Sequence, residues 1–241
     1  MKNYSLFFAL IFSVCITAQT KKIDPTAILI LDHMNDVIGE LESCSFELSS
    51  SYDKEDPDFG LVTNNLKATV IFSGPNKMLS RIEGSKGKKG FWYNGEQIAY
   101  YSYTENNYGI IDAPDNTIAA IDTLHFDYGI QFPAADFFYP AFTDDLLSDF
   151  DSIQYIGQNK IENEDCFHIK AENDKMIVQY WISNNAYRLP KRYLIIYKNN
   201  NNLQYQGTFN NWQANPKIPE SIFEFTPPES AKEIKILAKK K

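Results

Sequence analysis

Histidine and cysteine are scarce in this chain, with three of each among 241 residues. His33, His125 and His168 fit no metal-ligand spacing, so each is expected to be structural or exposed to solvent. The chain has no G-x-S-x-G serine motif. Cys166 and His168 share a predicted strand face about 7 Å apart, which is awkward for a direct hydrogen bond. The sequence therefore predicts no catalytic residue, no metal and no cofactor, and the protein is not expected to be an enzyme.

Two loops resemble ligand sites in composition but not in spacing. The glycine- and lysine-rich stretch 84–90 fits neither the P-loop nor the dinucleotide pattern, and a helix does not follow it. The acidic loop 53–60 has the wrong ligand order for an EF-hand, and Pro57 interrupts it. Both are interpreted as solvated turns.

Positive charge is in deficit, with 23 Lys and Arg against 31 Asp and Glu and a net charge of −8. This balance argues against nucleic acid as a partner and, less strongly, against an anionic membrane surface.

Long hydrophobic runs are missing except near the start of the chain. Leu6–Ile16 is apolar but shorter than the roughly 20 residues of a membrane-spanning helix. Lys2 precedes this run and Thr17-Ala18 follows it, which predicts a signal peptide over residues 1–18 and an exported domain over residues 19–241 without a transmembrane anchor. A lipoprotein signal acylated at Cys15 is disfavoured because Val14 stands where a small residue is needed.

Two cysteines remain in the predicted mature chain, Cys44 and Cys166. An oxidising compartment permits a disulfide between them, but their spacing cannot place them within bonding distance. Two separate buried thiols are an equally good interpretation.

Aromatic residues are abundant, with 17 Phe, 15 Tyr and 3 Trp. Asn94-Gly95 between two apolar runs is a strong hairpin signal. The resulting three-strand meander, residues 88–114, carries apolar side chains on both faces. Such a sheet needs cover on both sides, or a cavity on one.

The rest of the chain alternates with period two between turns, which predicts about eleven antiparallel strands. Asp24-Pro25 begins an amphipathic helix that extends to about Leu41. A second helical region, 117–149, interrupts the strands; within it, Pro133 and Pro140 are expected to bound a short helix. The predicted fold class is mainly β (α+β): one curved antiparallel half-barrel wrapped around helices.

Several motifs, taken in their order and spacing, resemble a known family. They are Asp24-Pro25, Leu31–Met34, Phe91–Glu96, Asn107-Tyr108, Asp112–Pro114, Tyr128–Phe138, Tyr155–Gly157, Asp165–His168, Trp181-Ile182, Leu189–Arg192 and Phe223–Lys232. The family is that of predicted periplasmic proteins known as domain of unknown function 2092. The resemblance implies the fold of the LolA lipoprotein carriers, a half-open sheet with an apolar cavity, and a periplasmic location. It assigns no catalytic residue.

The leading hypothesis is therefore a non-enzymatic periplasmic protein that binds a lipid or the acyl chains of a lipoprotein inside the curved sheet. The helix 24–41 and the region 117–149 would act as a lid. The candidate lining residues are Leu31, Ile38, Phe46, Leu48, Leu66, Val70, Met78, Ile82, Tyr205 and Phe209. The alternative is a structural or protein-interaction module of the cell envelope whose core is filled by its own side chains. A monomer is expected, and an envelope protein partner is left open.

Overall fold

The elements of the fold follow the change from helical to strand periodicity along the chain. In the computed structural model, residues 21–132 and 134–239 are described. The helices are α1 (Pro25–Gly39), α2 (Thr117–Tyr128) and α3 (Phe142–Asp149), with 3₁₀ helices at Ala135–Phe138 and Glu220–Phe223. The strands are β1 (Lys22–Ile23), β2 (Ser43–Asp56), β3 (Gly60–Ser73), β4 (Lys77–Gly84), β5 (Gly87–Tyr93), β6 (Gln97–Ser102), β7 (Asn107–Asp112), β8 (Ser152–Ile161), β9 (Glu164–Glu172), β10 (Met176–Ser183), β11 (Pro190–Tyr197), β12 (Leu203–Ala214) and β13 (Lys232–Glu233).

Within the described residues, all 13 strands belong to one sheet in the order β1-β8-β9-β10-β11-β12-β2-β3-β4-β5-β6-β7-β13. Strands β2 to β12 pair antiparallel, mostly with their neighbours in sequence, while the pairing of β12 with β2 joins the two halves. Strands β1 and β13 are two residues long and pair in parallel at the two ends of the sheet. The sheet is curved and does not close. The predicted fold class is confirmed, and the two extra strands are edge pairs too short for any periodicity.

Asp24 determines both where α1 begins and where it lies. Its Oδ1 accepts a hydrogen bond from the Thr26 amide at 2.8 Å, and Pro25 takes the first helical position, as expected. Its Oδ2 accepts from the amide of Tyr155 on β8 at 3.3 Å. One carboxylate therefore caps the helix and attaches its start to the sheet. The helix ends at Gly39, two residues before the predicted end.

The largest core cluster lies between α1, the 3₁₀ helix Ala135–Phe138 and the inner face of the sheet, meaning the face on which α1 packs. Phe209 of β12 is 0% exposed. Its ring centroid lies 5.4 Å from those of Phe46, Phe137 and Trp212. Aromatic pairs at this spacing add stability beyond the area that they bury. This cluster accounts for much of the aromatic content of the sequence.

The meander is covered on both faces, which is one of the two arrangements that its apolar pattern allowed. On the inner side, Tyr93 and Ile98 pack against α2 in a second core cluster. On the opposite, outer side, Trp92 packs against Phe223 and Phe225 from the C-terminal segment, with the Trp92 and Phe225 ring centroids 4.9 Å apart. A two-sided apolar sheet thus becomes the middle layer of three.

Two expectations from the sequence concern residues outside the described ranges. They are the signal peptide over residues 1–18 and the role of Pro133 at the start of a short helix.

None of the helices in the described part of the chain is both long enough and apolar enough to cross a membrane.

Leu29 and Leu31 form a matched test of how α1 packs, since the Leu31 side chain is 0% exposed and that of Leu29 is 71% exposed. Leu31→Ala should lower the free energy of unfolding by about 2–5 kcal/mol, because a buried leucine leaves a cavity when truncated. Leu29→Ala should change it by less than about 0.5 kcal/mol. Urea denaturation followed by circular dichroism measures both. Equal effects of the two substitutions would contradict this placement of α1.

Candidate functional site

A cavity of about 250 Å³ lies where α1 ends. Its walls come from the last turn of α1, the inner face of β2, β3 and β4, the start of α2, Phe132 and the segment 134–140. The lining residues are Ile38, Gly39, Leu41, Phe46, Ala68, Val70, Phe72, Pro75, Met78, Ser80, Asn116, Thr117, Ile118, Ile121, Phe132, Ala134, Ala135, Phe138 and Pro140. Most are apolar and none carries a charge, so the site can hold an apolar group.

The cavity exists because small side chains meet there. Gly39 of α1 and Ala68 of β3 line it from two sides, and Ala134 and Ala135 line it from the helical region. Ala134 adopts a left-handed conformation with φ of 66°, which is uncommon for a residue with a Cβ atom. Large side chains at these positions would fill the space.

Aromatic and polar contacts hold the segment 134–140 over the sheet. The Phe138 ring stacks on Phe46 of β2, with centroids 5.8 Å apart. The Tyr139 hydroxyl donates a hydrogen bond to Asp122 Oδ1 of α2 at 2.6 Å. Burial, together with this bond to Asp122, raises the pKa of Tyr139. Because the phenol stays protonated at neutral pH, it remains a donor and links the segment to α2.

The start of α2 gives the cavity a polar side. Asn116 Oδ1 accepts a hydrogen bond from the Ala119 amide at 2.8 Å and so caps the helix. The Thr117 amide and hydroxyl both donate to the Pro75 carbonyl, at 3.0 and 3.2 Å. These bonds fix the helix start against the turn before β4.

Four of the candidate lining residues lie on the cavity wall: Ile38, Phe46, Val70 and Met78. Leu31, Leu48 and Phe209 are fully buried in the large core cluster, and Ile82 and Tyr205 pack against that cluster partly buried. Leu66 is half-buried on β3.

Sequence reasoning did not identify Ser80 or the start of α2 as part of the wall. The period-two pattern placed Ser80 on the same face as Met78. The candidate lining residues were restricted to mainly apolar side chains, however, and serine is polar. Thr117 and Ile118 were recognised as the start of a helix, and nothing in their local pattern located that helix on the sheet.

Cys166 and His168 form hydrogen bonds with different partners. Cys166 Sγ donates to the Glu164 carbonyl at 3.5 Å. The His168 ring nitrogen pairs with Gln179 Oε1 at 2.8 Å, and burial lowers the pKa of this histidine. Cys44 and Cys166 are both free thiols in the described chain. Over residues 21–132 and 134–239, no group of three or more His, Cys, Asp or Glu side chains could hold a metal ion.

The sequence matches the family of predicted periplasmic proteins, domain of unknown function 2092, over residues 27–237. The chain belongs to this family. The resemblance seen in the sequence motifs is thereby confirmed. Comparison with curated proteins finds no match.

Solved structures match this member of the family across most of its length. LprF from Mycobacterium bovis is 12% identical with a TM-score of 0.49, covering 86% of this chain and 98% of that one. An uncharacterised conserved protein from Thermus thermophilus is 11% identical with a TM-score of 0.47, covering 87% and 98%. A LolA superfamily protein from Nitrosomonas europaea is 10% identical with a TM-score of 0.36, covering 83% and 97%.

The two buried thiols should resist alkylation while the protein is folded. Burial raises the pKa of Cys44 to about 12 and, with the nearby Glu164 carboxylate, that of Cys166 to about 11. Both pKa values lie above neutral pH, so the reactive thiolate is almost absent at pH 8. Iodoacetamide should therefore modify neither residue at pH 8 in buffer and both in urea, as measured by mass spectrometry. Failure of both to react in urea, followed by reaction once a reductant is added, would instead show a disulfide.

Proposed function

We propose that this protein binds one apolar chain, such as the acyl chain of a lipid or lipoprotein, in the cavity at the end of α1. It does so without catalysis, as a carrier or holding protein of the periplasm. The observation that carries the proposal is an uncharged, mostly apolar cavity of about 250 Å³ on the inner face of the sheet.

The size of the cavity limits what it accepts. An engineered cavity of about 150 Å³ takes a benzene molecule, whereas pockets for drug-sized ligands occupy about 300–1,000 Å³. A space of about 250 Å³ lies between these values. It suits a segment of one acyl chain, and two or three chains would need the walls to move apart.

The driving force is burial of apolar surface, at roughly 25 cal/mol per Å² removed from water. Phe46, Val70 and Met78 supply the sheet side of the contact, and Phe138 supplies the opposite side. We propose that the end of α1 and the segment 134–140 act as the lid, because both border the cavity. Movement of this lid would admit the chain and release it.

A second candidate function, an envelope module without a ligand, is favoured by one observation. Most of the inner face away from the cavity is filled by the protein's own side chains, with Leu31, Leu48 and Phe209 fully buried. Such a protein would act through a protein partner. In either function, we propose export through the signal peptide at residues 1–18 and a monomeric state.

Val70 and Val62 make a matched pair for testing the cavity. Both lie on β3 and, being eight residues apart, on the same face of it, but only Val70 lines the cavity. At about 3.3 Å per residue they are about 26 Å apart. Val70→Phe should reduce binding of an uncharged fluorescent fatty-acid methyl ester at least about tenfold, since the ring takes the space of the ligand. Val62→Phe should leave binding unchanged.

Fluorescence titration measures both variants, with circular dichroism to show that each is folded. Native mass spectrometry of protein from an envelope fraction gives an independent result, in which co-purifying lipid supports the carrier. A bare protein mass, together with no uptake of the fluorescent methyl ester by the wild type, would instead support the module.

A further inference from the structure

We infer that Ser80 is a polar anchor inside the cavity, and that the ligand is a single acyl chain joined through an ester or amide carbonyl whose oxygen accepts a hydrogen bond from the Ser80 hydroxyl. This inference rests on the proposed function and adds the chemical class of the ligand's head. It concerns one oxygen atom in an otherwise apolar wall.

Ser80 lies in the middle of β4 and is 1% exposed. It pairs with Val70 of β3 and Phe91 of β5, and Met78 precedes it on the same face. These three neighbours of Ser80 are apolar. Residues 78, 80 and 82 alternate with 79, 81 and 83 in a strand, so the Ser80 side chain points to the inner face, where Met78 lines the cavity.

The Ser80 hydroxyl has no hydrogen-bond partner among the described residues. Most buried side-chain polar atoms in folded proteins have at least one partner. An unpaired buried hydroxyl costs free energy, whereas alanine would fit the same place with no such loss. A ligand atom that completes this bond removes the cost only in the bound state, which turns the hydroxyl into a recognition group.

The first turn of α2 adds a positive electrostatic potential, which has the same sign as the partial charge on the hydroxyl hydrogen of Ser80. The Thr117 amide donates to Pro75 and the Ala119 amide to the Asn116 side chain. The Ile118 amide, between them, has no carbonyl partner within the helix, and Ile118 lines the cavity. The 12-residue helix thus presents its partly positive end to the cavity. A ligand oxygen with partial negative charge is favoured there.

A neutral carbonyl fits this environment better than an ionised carboxylate. None of the cavity-lining side chains is charged, so a carboxylate would be buried without a cation, at a large desolvation cost. A carbonyl oxygen needs only the donor that Ser80 supplies. The lining therefore selects the ester- or amide-linked chain over both the free acid anion and the plain hydrocarbon.

The test compares three probes of equal chain length: dodecane, methyl dodecanoate and dodecanoate. Each displaces an uncharged fluorescent fatty-acid methyl ester from the full mature protein at pH 8. Methyl dodecanoate should bind the wild type roughly five- to tenfold more tightly than dodecane, because this ratio of dissociation constants corresponds to the net free energy of one neutral hydrogen bond. Ser80→Ala should abolish that difference by weakening the ester alone, and Ser80→Thr, which keeps a hydroxyl, should restore most of it.

Ser50 provides the matched control. It is a buried serine on the inner-face side of β2 that does not line the cavity. Ser50→Ala should keep the wild-type preference for the ester. Ester and hydrocarbon binding equally to the wild type, or a preference that survives in Ser80→Ala, would overturn the anchor and leave the apolar carrier standing. Binding of none of the probes would overturn both.

Unfolding provides a readout that does not depend on ligand. Ser80→Ala loses no hydrogen bond in the free protein, so its melting temperature should equal or exceed that of the wild type. A lower melting temperature would show that the hydroxyl has a structural partner, and this would contradict the anchor.

Discussion

Burial of the inner face is the constraint on which the rest of this structure depends. A wide antiparallel sheet with one apolar face must cover that face or lose roughly 25 cal/mol for each Å² left in water. Helix α1 supplies the cover over β8, β12 and β2, and Asp24 fixes its start by bonding to both the helix and the amide of Tyr155. The region 117–149 supplies the remainder. The two halves of the sheet are therefore covered by different helical segments.

The cavity is the place where that cover is incomplete. Near Phe209 the rings of Phe46, Phe137 and Trp212 interlock and leave no room. Towards the end of α1 some of the lining residues are small, among them Gly39 and Ala68. The same helix therefore covers one part of the inner face and leaves another open. A cavity made in this way needs no separate domain.

The strands were predictable because their signals are local. Asn94-Gly95 specifies a turn whatever surrounds it, and Asp24 caps a helix with its own carboxylate. Other features depend on contacts between residues far apart in the sequence, and these contacts produce no periodic pattern. They are the pairing of β12 with β2, the covering of Trp92 by Phe225, and the two-residue strands β1 and β13. The cavity was harder still. Alternation assigns Val70 and Ile82 to a face, but their position relative to a void depends on how large the side chains opposite them are.

The small residues on the cavity wall leave apolar surface of the inner face uncovered by the protein itself. Covering that surface would be favourable by roughly 25 cal/mol per Å². A module with no ligand could obtain much of this burial with larger side chains at Ala68 or Ala135, both on the wall. Retaining small residues there, and a buried hydroxyl at Ser80 among them, is a cost that binding would offset.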